Sequence, residues 1–116
     1  MDRIYRVRQG MGGRHVLERD GNLYWLEGDI FGDYRAGSEI DGAGRQYLSP
    51  VMPSKIMAIG LNYRDHAAEM NKALPAEPLV FMKPGTAVIG PDVTIELPLW
   101  AGRVDHEAEM AVVIGR

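Results

Sequence analysis

The sequence predicts a mainly β protein with one short helix, an α+β arrangement in which a small amino-terminal β domain precedes a second β-rich unit. Three observations carry that expectation. The 14 glycines and 7 prolines fall between short apolar runs, the punctuation of strands and turns. An Asp20-Gly21 pair separates two such runs, and glycine accepts the positive φ that a tight hairpin turn demands. Only the stretch Tyr63–Met70 has the content of a helix, with Ala67 and Ala68 as good helix formers.

Taken in order, Ile4–Arg8 alternates apolar and polar residues as a strand does, and Gly10, Gly12 and Gly13 read as a loop. His15–Arg19 and Leu23–Leu26 are the strands on either side of the Asp20-Gly21 turn. From Gly28 to Gly44 turn residues and charges dominate, with Ile30, Phe31 and Ile40 as anchors. Residues 1–49 therefore form the small amino-terminal domain. Pro50 and Pro53 lack backbone donors and keep the chain extended, so 50–53 reads as a linker. The second unit is expected over 54–116. It starts with a buried-type strand, Lys55–Ile59, ended by Gly60. The helix follows, with Asn62 as its N-cap. Leu79–Lys83 is a strand stopped by Pro84-Gly85, and Ala87–Ile89, Val93–Leu97 and Glu107–Ile114 are further strands. Met110–Ile114 is the most core-like run in the chain. A strand buried on both faces needs neighbours on each side. With only two residues beyond it, the sequence is expected to be an incomplete part of a longer protein.

Bulk composition removes several function classes. Hydrophobic residues make up 46% and charged residues 25%, the balance of a soluble globular protein. The net charge of −3 is dispersed. Arg3, Arg6 and Arg8 make only a mild cluster with no aromatic stacking platform, so no nucleic-acid partner is expected. The absence of cysteine excludes disulfides, thiolate metal sites and cysteine nucleophiles. No apolar run approaches the roughly 18 residues of a membrane span, and the first residues lack the apolar core of a signal peptide. A cytoplasmic protein without a membrane partner is expected.

Two residue pairs could carry chemistry. On a strand, Glu107 and Glu109 would point to one face about 7 Å apart, in line with the apolar Ala111 and Val113. Two neighbouring carboxylates in a low dielectric must share a proton or a cation. Hard oxygen donors favour Mg²⁺, Mn²⁺ or Ca²⁺ over zinc. A solvated strand edge would show the same pattern. His66 and Glu69 stand three apart on the helix, within reach of each other. Such a pair fixes the imidazole tautomer and suits His66 to activating a water. An exposed polar helix, with Arg64 and Asp65 alongside, is the plainer alternative. Lys83, where a strand opens into a turn, could hold a substrate carboxylate or an enolate oxygen, or be an ordinary strand-end lysine.

In order and spacing, these pieces form a family pattern. Ile56-Met57-Ala58-Ile59-Gly60-Leu61-Asn62-Tyr63 with Asp65-His66-Ala67-Ala68-Glu69-Met70 resembles the opening signature of the fumarylacetoacetate hydrolase family. Glu77–Pro84 resembles its following strand, and Val104–Gly115 its metal-binding strand. Residues 1–49 are similar to the small β domain that precedes the core in many bacterial members. The resemblance implies a mixed β-roll around a divalent metal, Mg²⁺ or Mn²⁺, held by Glu107 and Glu109. His66 with Glu69 would activate water on a helix that acts as a lid, and Lys83 would bind a small keto-acid substrate. Members cleave or rearrange carbon–carbon bonds in acylpyruvates and related dioates, or isomerise 2-hydroxyhepta-2,4-diene-1,7-dioate type compounds. Others decarboxylate or tautomerise oxaloacetate. A homodimer is implied for the full-length protein. The family's third metal carboxylate and a further substrate lysine would lie beyond Arg116. A short β module serving binding or assembly, without catalysis, is the competing reading.

Overall fold

The computed structural model describes residues 1–115. It is mainly β with one short helix, as the sequence predicts, and its sheets are antiparallel. The chain forms two compact units: Met1–Pro50 with the stretch from Gly90 onward, and Val51–Ile89.

The first unit is built on a five-stranded sheet of β1 (Arg3–Gln9), β2 (Gly12–Arg19), β3 (Asn22–Gly28), β4 (Tyr34–Glu39) and β5 (Tyr47–Leu48), in the order β4-β3-β2-β1-β5. Two-residue turns set the registers. Gln9 pairs with Gly12 across Gly10-Met11, and Arg19 pairs with Asn22 across Asp20-Gly21. Asp20 and Gly21 both have positive φ, 53° and 84°, so the predicted Asp-Gly turn forms with the primed handedness that matches strand twist. Gly12 and Gly13, expected in a loop, belong to β2 instead.

β4 and β5 carry little sequence signal. The β4 segment, Tyr-Arg-Ala-Gly-Ser-Glu, has no apolar alternation and pairs as an edge strand through its backbone, with a register shift between Tyr24 and Leu26. Within the region read as turns and charges, Ile30 and Ile40 are half-buried while Phe31 remains 44% exposed.

Strand alternation and register place Tyr5, Val7, Val16 and Trp25 on one face, and Ile4, Leu17, Tyr24 and Leu26 on the other. Val7, Val16 and Leu17 are fully buried and Leu26 nearly so. Polar clasps sit around this core. Arg19 donates to both oxygens of Asp2 (2.9 and 2.6 Å), and these bonds hold the Asp2 carboxyl below the usual carboxylate range. The Tyr5 hydroxyl donates to Glu18 (2.8 Å), which raises the pKa of the phenol because ionisation would break the bond. His15 Nε2 donates to the Pro50 carbonyl (2.9 Å). A carbonyl only accepts, so this contact requires the proton on Nε2.

The second unit contains β6 (Lys55–Gly60), α1 (Arg64–Glu69) and β7 (Leu79–Pro84), with β6 and β7 paired over their full lengths, followed by a single 3₁₀ turn at Gly85–Ala87. Three predicted strands are absent. Ala87 closes the 3₁₀ turn, Val88 and Ile89 follow it without regular structure, and Val93–Leu97 and Glu107–Ile114 are irregular. Apolar character alone does not make a strand, because each backbone donor and acceptor needs a partner. Among the described residues none of these segments has one in a sheet. No helix of the described residues is long and apolar enough to cross a membrane.

Two outcomes follow for the first unit. Leu17→Ala should cost about 2–5 kcal/mol of stability, the range for emptying a fully buried leucine site, read by denaturant unfolding. Asp2 has a depressed folded-state pKa, so its contribution is present above the unfolded pKa and is lost as pH falls through the folded value. Asp2→Asn should therefore flatten the acid limb of the stability–pH curve, and an unchanged limb would show that the clasp is energetically silent.

Candidate functional site

The helix that carries the dyad is placed by unusual backbone at both ends. At the exit of β6, Leu61 has φ +51°, a left-handed value that is rare for a bulky residue. That turn carries the chain from strand into helix. The predicted cap is displaced: Tyr63, not Asn62, is the N-cap, and it provides no side-chain hydrogen bond. The carboxy-terminal end is better closed. Asn71 is left-handed (φ +51°), its N–H donates to the Ala68 carbonyl (3.0 Å), and the Lys72 N–H donates to that of Ala67 (2.9 Å). Those two bonds are the Schellman pattern, with asparagine in the position usually taken by glycine. The Asn after Met70 could have signalled this stop from sequence; nothing in the sequence marks Leu61.

α1 brings the expected pair together. His66 Nδ1 lies 3.9 Å from a Glu69 carboxylate oxygen, an ion-pair distance that is too long for a hydrogen bond. The side chains are 41% and 79% exposed. Ala67, between them, is the buried residue of the helix.

Lys83 lies on β7 opposite Ile56. Alternation puts it on the face that also carries Phe81 and Ala58. Its ammonium stands 5.7 Å from the Phe81 ring centroid, a cation–π contact that draws the charge along its own strand.

Glu107 and Glu109 depart from expectation. Both are exposed and lie in irregular chain rather than on a buried strand face. The reason is the missing partner noted above: without a pleat, the i, i+2 rule that would align two carboxylates does not apply. Nearby, Arg103 Nε donates to Asp105 (2.9 Å). Among the described residues, no three His, Cys, Asp or Glu side chains gather as a metal site. His66, Glu69 and Lys83 belong to the Val51–Ile89 unit, and Glu107 and Glu109 to the other.

Comparison with known proteins places these residues in context. Residues 55–116 match the family model described as the fumarylacetoacetate (FAA) hydrolase C-terminal domain, more than half of the chain. The chain belongs to the fumarylacetoacetate hydrolase family. An uncharacterized protein of Archaeoglobus fulgidus is 49% identical over 106 residues, which are 90% of this chain and 42% of that protein. A Bos taurus protein named oxaloacetate tautomerase FAHD2A, mitochondrial, is 45% identical over 71 residues, 60% of this chain and 23% of its own length. A solved structure of an uncharacterized protein from Mycobacterium abscessus superposes with a TM-score of 0.68 at 33% identity, covering 88% of this chain and 40% of that one. The chain thus spans less than half the length of each of these proteins.

The helix stop gives a direct test. Asn71→Val forces a β-branched residue to positive φ, at a cost of about 1–2 kcal/mol. It should speed amide exchange at Asn71 and Lys72 by on the order of tenfold, whereas Asn71→Gly should leave both protected. Equal protection in the two variants would show that the left-handed residue does not hold the helix end.

Proposed function

We propose that this chain supplies the proton-transfer pair and substrate cation of an enzyme acting on small keto acids, with keto–enol interconversion of oxaloacetate as the favoured reaction. The observation that carries the reading is the His66–Glu69 pair on α1, within the segment that matches the family model. The tautomerase named among the relatives favours this reaction over the others open to the family.

Oxaloacetate and its enol differ only in the position of one proton, on C3 or on the C2 oxygen, so the reaction needs no co-reactant. His66 is suited to take the C3 proton and return it to the oxygen. Glu69 would keep the imidazole oriented while it holds that proton. Negative charge develops on the C2 oxygen as the C3 proton leaves. The Lys83 ammonium would stabilise that oxygen or a flanking carboxylate. Glu107 and Glu109 are hard oxygen donors whose chemistry fits Mg²⁺ or Mn²⁺, and such ions are commonly held by one or two carboxylates with water completing the shell. When bound, the ion would supply Lewis-acid polarisation of the dioxo group.

The second reading is hydrolysis of a carbon–carbon bond in an acylpyruvate or related dioate, which the family's name favours. The same dyad would then activate a water for attack on the distal carbonyl. One assay separates the readings. In the full-length protein that carries these residues, enol absorbance of oxaloacetate reports tautomerisation, and release of pyruvate from an acylpyruvate reports cleavage. For the favoured reaction, His66→Ala should slow enol conversion about 10²–10⁴-fold, with Glu69→Gln milder and Lys83→Met raising KM. Undiminished tautomerisation in His66→Ala would reject the proposed base. The metal assignment is read separately by Mn²⁺ line broadening at Glu107 and Glu109, which Glu107→Gln with Glu109→Gln should abolish.

A further inference from the structure

The arginines of the first unit differ in their partners, and Arg8 Nε, for one, donates to the Gln46 side-chain oxygen (3.3 Å). Arg3, Arg19, Arg35 and Arg103 each meet a carboxylate, at 3.1, 2.6, 2.9 and 2.9 Å. Arg14 and Arg45 do not. Instead, both guanidinium groups stand over one indole, 4.5 and 5.1 Å from the Trp25 ring centroid. Two like charges are thereby drawn to one indole, and among the described residues neither forms an ion pair with a carboxylate.

The arrangement is held by the fold. Trp25 lies on β3 opposite Val16, which is fully buried. Arg14 is two residues before Val16 on β2 and so shares its face. Arg45 approaches from the loop before β5, with its Nε donating to the Asp41 carbonyl at 2.6 Å. That bond engages Nε rather than the terminal amino groups of the Arg45 guanidinium. Arg14 meets the same ring with its guanidinium carbon, 4.5 Å from the centroid. Both side chains are half-buried, which limits the water that can screen them. Stacking uses the face of a guanidinium and spares its edge, the part that forms paired hydrogen bonds to an oxyanion.

We propose that Arg14 and Arg45, ordered on Trp25, form a binding platform for a small dianion whose oxyanion groups bridge the two guanidinium edges. A dicarboxylate and inorganic phosphate present the same chemistry to such a platform, one as planar and the other as tetrahedral oxygens. The inference concerns the amino-terminal sheet alone and stands independently of the keto-acid reading.

Trp25 provides the readout. In a Trp100→Phe background, whose replaced side chain is 86% exposed, the fluorescence arises from Trp25. Titrations with malonate and with phosphate, at ionic strength held constant with chloride, should give a saturable change. Arg14→Gln and Arg45→Gln should each weaken it about tenfold, the effect of losing one charge-assisted hydrogen bond. The tighter ligand of the two identifies the natural class. A response that chloride alone reproduces, or one retained in both glutamine variants, overturns the proposal. Should a variant fail to fold, the wild-type chain decides by NMR. Saturable shifts of the Arg14 and Arg45 Nε–H and Trp25 Nε1–H signals support the platform, and their absence overturns it.

Discussion

Backbone hydrogen-bond pairing is the constraint on which this molecule depends. β1, β2 and β3 are joined by two-residue turns, so each strand brings its neighbour into register with little loop-closure cost. Once that meander exists, it offers edges, and segments with weak strand character add to them: the polar β4 on one side and the two-residue β5 on the other. The same constraint explains the irregular stretches. Val93–Leu97 and Met110–Ile114 are more apolar than β4, yet β4 is the strand. Access to a partner outranks composition.

Energetics reinforce the same centre. The fully buried side chains Val7, Val16 and Leu17 all lie on β1 and β2, in the middle of the sheet. The polar clasps lie around them, with Asp2–Arg19 and Tyr5–Glu18 both joining β1 or its leading residue to β2. These exposed or half-exposed pairs add modestly to stability, as surface ion pairs do. Their clearer role is to fix the β1–β2 register, because a one-residue slip would separate each donor from its acceptor.

What could be read from the sequence follows from this. The fold class, β1 to β3, β6, β7 and the helix were legible because their signals are local: alternation, an Asp-Gly turn, helix formers flanked by polar residues. β4 and β5 were not, since an edge strand borrows its order from its neighbour. The helix position was legible but its N-cap was not, because the left-handed Leu61 shifts the start by one residue from the position Asn62 would favour. For the candidate site, the His66–Glu69 proximity was readable from i, i+3 spacing alone. For Glu107 and Glu109 the spacing rule failed, because it presupposed a strand that the structure does not have there.

That difference bears on how the chemistry is distributed. A dyad on one helical turn is assembled as soon as the turn forms, whatever surrounds it. A carboxylate pair defined by strand pleat is assembled only when the strand acquires neighbours, so its metal affinity is tied to the completeness of a sheet. Glu107 and Glu109 lie in a part of the chain that lacks strand partners. The proximity of His66 and Glu69 is thus encoded locally, while any alignment of Glu107 with Glu109 would be encoded by tertiary structure.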